Sequence, residues 1–554
     1  MLQERDAGTS AYRVQCVLRL DGGLRPQLLE AAVSSVIERH EILRTCFHLQ
    51  AGMFLPLQVI ADHGSTLRRL DLAGLPAQEQ QTRIDEWLDQ SNGASLDVTL
   101  ATVSAGEHVL LISLPALCAD RESLRQIVRE IKRAYANEAL LDDPTQYKVV
   151  SQWFNDVLEA EEAQIGKDYW REQWSDQTST IKLPFERDAS ETFTYQSITA
   201  VLSPSVIAKL DRLLEQLKIS QRAFFLTCWQ TLIYRLTGET SVTTGTYFDG
   251  RSDAALTEAL GLFARYLPVQ NKIVEDSRFS ELLTKIDQAV HLGYDWQECF
   301  TASSETYFPF CFDYDEQSTR YQSGDVTFSI LRQRACIDRF KLELVCSRRG
   351  DSVIAEFNFD LAIFDPADIE RLAENFQTLL ASAVDNPEAT IGELNILGIT
   401  ERQKLLIELN DTSREYARES CLHQLFEQQA ALTPHNVAVV FRDEQLTFTE
   451  LNARANQLAR HLQTLGVSTE SLVAICMERS VEMVVALLAT LKAGAAYVPL
   501  DPESPIERQA CILRETHPAV IFTQEDMRAN LPACEAMVIT DVENLTQYSD
   551  QNLH

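Results

Sequence analysis

The sequence predicts an α/β protein with more than one domain, and three observations carry that prediction. A continuous apolar run, Val109 to Leu114 (VLLISL), is followed by a helical stripe of Leu124, Ile127, Val128, Ile131 and Tyr135 at spacings i, i+3, i+4, i+7 and i+11. Beyond Cys421 the pattern alternates strand, helix, strand, helix, strand, which calls for a parallel sheet. A chain of 554 residues is also too long for one compact core at about 150 residues per domain.

The first stretch runs to about residue 175. Tyr12–Leu20 is strand-like, and Pro26–His40 has helical spacing through Leu29, Val33, Val36 and Ile37. An apolar run without alternation, as in VLLISL, suits a strand buried on both faces, and the Arg121–Tyr135 helix follows it after a short loop. The second stretch, about 190–395, repeats this α/β style. Helices are expected at Pro204–Leu217, Ser220–Leu236 and Pro366–Ala383, and strands at Ser241–Thr246, Val326–Leu331, Leu342–Cys346 and Val353–Phe359.

Residues 396–420 turn polar and charged and read as a linker with some helix. In the third stretch, Val437–Phe441 is a strand. Thr447-x-x-Glu450 is a capping-box signal that opens a helix carrying Leu451, Ala455, Leu458, Leu462 and Leu465, with Gly466 at the C′ position. Strand Leu472–Met477, helix Val481–Lys492 and strand Ala496–Leu500 follow.

Composition excludes several classes. With 49 Lys+Arg against 81 Asp+Glu the net charge is −32, a surface that repels phosphate backbones and anionic lipid, so neither nucleic acid nor membrane is expected as a partner. Glu4, Arg5, Asp6, Arg13 and Arg19 leave no room for a signal-peptide core, and the apolar run Met483–Leu491 is stopped by Lys492, so a cytoplasmic protein is expected. The 12 cysteines and 10 histidines are dispersed without C-x-x-C or H-x-x-x-H spacing, so no metal site is expected and the thiols read as reduced and mostly buried.

Several short motifs, in order, carry a family resemblance. Arg39-His40-Glu41-Ile42-Leu43-Arg44-Thr45-Cys46-Phe47 resembles the RHExLRTxF motif of nonribosomal peptide synthetase condensation domains. Tyr147…Trp153, Gly245-Thr246…Gly250-Arg251 and Gly261-Leu262-Phe263…Leu267-Pro268 are similar to their later motifs, with Asp295-Trp296-Gln297…Phe300 a weaker match. Leu446–Leu451 and Leu491–Asp501 (LKAGAAYVPLD) resemble the start of an adenylation, or AMP-binding, domain of the same synthetases.

The resemblance implies a pseudo-dimeric fold of the chloramphenicol-acetyltransferase type over residues 1–395, with lobes at about 1–175 and 190–395 and the first helix missing. A linker at 396–420 is then followed at 421–554 by the N-terminal lobe of an adenylation domain, expected to stop before the loop that grips ATP phosphates. It also implies carrier domains upstream and downstream as partners, each bearing a phosphopantetheine arm, with the rest of the synthetase and a recruited tailoring enzyme as further candidates. No cofactor is expected on this chain itself, and ATP with magnesium belongs to a complete adenylation domain.

Active relatives carry HHxxxDG just after the buried strand, the second histidine acting as base or positioning group toward the attacking amine. Aligned on Asp120, this chain has Pro115 and Ala116 at the two histidine positions and Arg121 in place of glycine. Neither Pro115 nor Ala116 offers a side-chain proton donor or acceptor. The cyclising relatives' D-x-x-x-x-D is likewise absent, with Pro115 at its first aspartate. Cys118 is the one reactive side chain of the loop but has no histidine near it in sequence, so a small apolar filler is the plainer reading.

Asp120 reads both as the helix N-cap and, by resemblance, as the structural partner of Arg251. Cys118 and Arg265, which replaces an expected asparagine, are candidate tunnel-lining residues, and His40 is read as structural. Two functions follow for the condensation-like part. One is a domain without histidine chemistry that serves as scaffold, gate or recruiting surface. The other is a working enzyme in which approximation of two thioesters suffices to form the amide.

Overall fold

The computed structural model describes residues 12–48, 57–91, 95–140, 143–174, 181–188, 193–253, 256–301, 308–316, 320–416, 418–540 and 545–553. The segment before Tyr12, on which the reading of a missing first helix bears, and Ala417 in the linker lie outside the described residues. The chain divides into two compact units, Met1–Asn410 and Asp411–His554.

In the first unit the strands are β1 (Arg13–Gly22), β2 (Thr45–His48), β3 (Leu57–Ile60), β4 (Arg68–Asp71), β5 (Asp97–Ser104), β6 (Glu107–Pro115), β7 (Tyr195–Val201), β8 (Ser241–Phe248), β9 (Arg265–Lys272), β10 (Phe310–Asp315), β11 (Arg320–Ser323), β12 (Val326–Ala335), β13 (Leu342–Arg349) and β14 (Ser352–Asp360). Two six-stranded sheets result, in the orders β11-β12-β1-β6-β5-β4 and β7-β14-β13-β10-β8-β9, while β2 and β3 pair as a hairpin. This is the two-lobed α/β architecture expected of the chain.

The VLLISL run is the centre of the first sheet. Leu110, Ile112 and Leu114 point into the main core of the lobe, whereas Val109 and Leu111 pack on the opposite face with Ile84 and Leu88 of the Ala77–Gln90 helix. Burial on both faces explains why the run does not alternate. The core on the first face also takes in Tyr247, Tyr266 and Cys311 from the second sheet, so the lobes share one apolar interior. The second lobe adds its own core, where Phe310, Phe312, Leu342 and Leu344 meet the Gln221–Thr237 and Pro366–Asp385 helices.

The lobe boundary departs from the sequence reading in one respect. Val326–Leu331, expected within the second lobe, belongs to β12, which pairs antiparallel with β1 from Val14↔Ala335 to Gly22↔Val326 in the first sheet. Strand pairing over some 300 residues of chain has no local signature, and the apolar positions Val326, Phe328 and Ile330 suit either sheet.

The second unit carries a hairpin of β15 (Val437–Phe441) and β16 (Glu444–Thr447), and a four-stranded sheet of β17 (Leu472–Cys476), β18 (Ala496–Pro499), β19 (Val520–Thr523) and β20 (Met537–Ile539). The order is β18-β17-β19-β20 and every pair is parallel. The Phe448–Thr464 helix starts with the capping box, Thr447 and Glu450 each satisfying the other's backbone N–H. Gly466 follows the C-cap at φ +89°. The expected linker contributes a short helix, Ile399–Leu406, to the end of the first unit.

Candidate functional site

β6 delivers Pro115 and Ala116 to the junction of the two lobes. Ala116 N–H bonds the Tyr12 carbonyl at 3.1 Å, and Cys118 N–H closes a tight turn on the Pro115 carbonyl at 2.9 Å. Ala116 is 4% exposed and sits within the shared apolar core. The turn carries no side-chain acid or base at either position. Five well-formed cavities are lined by described residues of the first unit, and none of them touches Pro115, Ala116, Cys118 or Asp120.

Asp120 is fully buried and caps the Arg121–Tyr135 helix through Ser123 N–H at 2.8 Å. Its two oxygens also take the terminal nitrogens of Arg251 at 2.8 and 2.9 Å, and Phe263 N–H and Ala264 N–H at 3.0 and 3.2 Å. Burial by itself would push this carboxyl up, but the Arg251 guanidinium and the Ser123 and Phe263 amides hold it below the usual carboxylate range. Asp120 therefore ties the end of β6 to the loops that follow β8 and precede β9. Arg251 gains a further contact by lying over the Phe263 ring, 4.6 Å from its centroid.

The motif glycines serve this junction. Gly250 has φ +67°, and a Cβ there would meet the Phe263 carbonyl oxygen at 2.2 Å. Gly261 passes so close to the Tyr147 ring that a Cβ would lie 2.0 Å from it, while its N–H donates to Ser123 Oγ at 3.1 Å. Tyr147 O–H in turn donates to the Leu262 carbonyl at 3.2 Å.

The two candidate tunnel-lining residues sit close to the junction. Cys118 is 1% exposed with its Sγ 3.7 Å from the Thr45 carbonyl, and burial, with Cys46 nearby, pushes the thiol up to about 12 against the opposing field of Arg13. Arg265 opens β9, and its guanidinium reaches the Phe300 carbonyl at 3.3 Å. Neither lines any of these five cavities. His40 joins helices: its Nε2 lies 2.8 Å from Glu130 Oε2, whose other oxygen accepts from Gln126 at 3.0 Å.

Sequence reasoning singles out Arg121 but not its partner. The Arg121 guanidinium crosses the cleft to hydrogen-bond Asp313 on β10, and Arg125 reaches Asp315 in the same way. Asp313 stands 192 residues from Arg121, and the visible signal is an arginine where a helix begins and glycine is expected. Among the described residues no group of His, Cys, Asp and Glu side chains is arranged to hold a metal, and no helix is long and apolar enough to cross a membrane.

Comparison with known proteins sets this geometry in a family. A linear gramicidin synthase chain of Brevibacillus parabrevis is 31% identical over 97% of this chain, which covers 11% of that protein. Gramicidin S synthase 2 of Brevibacillus brevis is 27% identical over 100% of this chain and 13% of its own length. The chain thus spans about a tenth of the length of the curated relatives it matches. Among solved structures, holo-AB3403, a four domain nonribosomal peptide synthetase bound to AMP and glycine, aligns with a TM-score of 0.81 at 17% identity, covering 98% of this chain and 44% of that one. The X-domain in its complex with OxyB from teicoplanin biosynthesis aligns at 0.59 and 21% identity over 70% of this chain and 92% of its own. The condensation domain model matches residues 1–406 and the AMP-binding enzyme model residues 426–553. The chain belongs to the condensation domain family, with part of an AMP-binding enzyme domain following it in sequence.

Proposed function

We propose that this chain is part of a nonribosomal peptide synthetase module and that its condensation-like domain works without histidine chemistry, as a scaffold, gate or recruiting surface. One observation carries the reading. At the end of β6, where the family motif places two histidines, Pro115 is buried and Ala116 is packed into the shared core. A general base must lie within hydrogen-bond reach of the proton it takes, and neither residue has a group to offer. Cys118, the nearest candidate, is a buried thiol raised to about 12 and carries almost no thiolate at neutral pH.

The frame of the motif is nonetheless intact. Asp120 and Arg251 hold the junction with the geometry of a structural pair, so what the junction keeps is shape and surface. The proposed domains are 1–395 condensation-like, 396–420 linker and 421–554 adenylation N-terminal lobe. The partners are carrier domains on either side and the rest of the synthetase, the carriers' phosphopantetheine arms supplying the thioesters. ATP and magnesium act in a complete adenylation domain. A recruited tailoring enzyme is a further candidate partner, and docking of another protein on this fold has a precedent in the complex of the X-domain with OxyB. A cytoplasmic setting fits these partners.

Mass spectrometry of the acceptor carrier, after mixing the intact module with a loaded donor carrier, tests the reading. Little or no condensed product is expected. Rapid dipeptide formation, unchanged when Asp120 or Cys118 is replaced, would show that approximation of the thioesters suffices and would overturn the proposal.

A further inference from the structure

We propose that two ion pairs, Arg121–Asp313 and Arg125–Asp315, form a closed gate that divides one passage through the cleft of the first unit into two cavities. One cavity, of about 510 Å3, lies where the start of the Arg121–Tyr135 helix faces the ends of β8 and β10. The other, of about 420 Å3, lies among β7, β12, β13 and β14. Their linings have two residues in common among the described ones, Arg121 and Asp315, so these side chains are the wall between them. The second cavity also shares Ser197 and Arg332 with a third of about 450 Å3, which extends the series along the cleft.

The wall is an unfavourable place for a cation unless it is held there. Arg121 is the first residue of its helix, where the positive end of the macrodipole repels it, and it is only 7% exposed. What holds it is Asp313, itself 2% exposed at the side chain, with the Tyr247 ring 5.3 Å from the guanidinium carbon. One helical turn on, Arg125 meets Asp315, two residues further along the strand. Four residues of helix rise about 6 Å and two residues of strand about 6.6 Å, so the two rungs match in spacing. The gate is therefore a two-rung ladder between a helix of one lobe and a strand of the other.

With the ladder closed, a linear arm that enters one cavity stops at the guanidinium. The linear arm is the carrier phosphopantetheine of the functional reading above, on which the choice of occupant rests, but the gate holds whether or not Pro115 and Ala116 are chemically inert. A glycine at 121, the residue the family motif carries, would leave Asp315 alone in the wall.

The test is crystallographic, on the full chain soaked with pantetheine as a linear probe. In the wild type, density is expected to end at the Arg121 side chain, and density continuous past it overturns the proposal. In Arg121→Gly combined with Asp313→Asn, which removes both charges together so that no lone carboxylate stays buried, the two cavities are expected to merge and pantetheine to span them. Arg121→Ala with Asp313→Asn serves as the second variant, since alanine is better tolerated in a helix. Cavities that remain separate in either variant with the backbone in place overturn the gate.

Discussion

Arg251 holds Asp120 through two near-parallel bonds, each terminal nitrogen 2.8–2.9 Å from a different carboxylate oxygen. The next residue, Arg121, sends the opposite charge across the same cleft to Asp313. Adjacent residues of the first lobe thus bind the second with reversed polarity, so the lobes are held in one register: a shift that brought either pair to the other's partner would set like charges together.

Removing one half of the Asp120–Arg251 pair leaves a buried charge without compensation. Asp120→Ala is expected to destabilise the first unit by about 3–5 kcal/mol, with loss of the helix N-cap adding about 1 kcal/mol. Tryptophan fluorescence during denaturation reads this directly, because all six tryptophans precede residue 411. In acid the wild type loses the part of this stabilisation that depends on the ionised carboxylate. The carboxyl is held below its ordinary range when folded, so its stabilisation is complete above about pH 4 and disappears as pH falls through the folded value.

Asp338 titrates with the opposite sign. Burial pushes its carboxyl up to about 6, although the Arg339 N–H pulls it down. Below about pH 4 both folded and unfolded chains hold the proton and the group is neutral to stability. Between there and about 6 the folded protein keeps a proton that the unfolded chain releases, so stability falls as pH rises. The melting difference between Asp338→Asn and wild type is expected to grow in favour of the variant across that range and to level off above it.

Thiol reactivity separates the cysteines. Cys421, Cys511 and Cys534 are exposed, whereas Cys118 is buried with its thiol raised to about 12. Iodoacetamide at pH 8 is expected to label the first three within minutes and to spare Cys118 until the first unit unfolds, as peptide mass spectrometry would show. Labelling of Cys118 at a comparable rate would reopen it as a nucleophile.

In the second unit, Thr447→Ala removes the hydroxyl that caps the Phe448–Thr464 helix. A loss of about 1 kcal/mol is expected. Hydrogen exchange over residues 448–464 would speed up about fivefold, with no change in the first unit.

Legibility in the sequence follows locality. The Arg121–Tyr135 helix and the Thr447 capping box appear with the ends that their spacing predicts, because caps and stripes are signals within a few residues. β4, with the sequence RRLD, has no apolar alternation and is invisible for that reason. The apolar helix Gln221–Thr237 is legible as a helix, while the crossing of β12 into the first sheet is not. At the site, motif order points to Asp120 and Arg251, which the fold brings together across 131 residues. The Asp313 partner of Arg121 has no motif to announce it, and the contacts of Cys118 with Thr45 and of Arg265 with Phe300 are made with neighbours from distant segments.

The passage of β12 into the first sheet makes the two lobes mutually dependent for their completion. Cutting the chain between residues 181 and 193 would deprive β1 of its partner from Val14 to Gly22 and leave an apolar strand edge bare. The N-terminal fragment would then recruit whatever strand is nearest, including another copy of itself, and only the C-terminal fragment would restore its solubility. The N-terminal half does not complete its own sheet alone, so a cut near residue 410 is expected to leave the first unit folded and a cut between the lobes to unfold it.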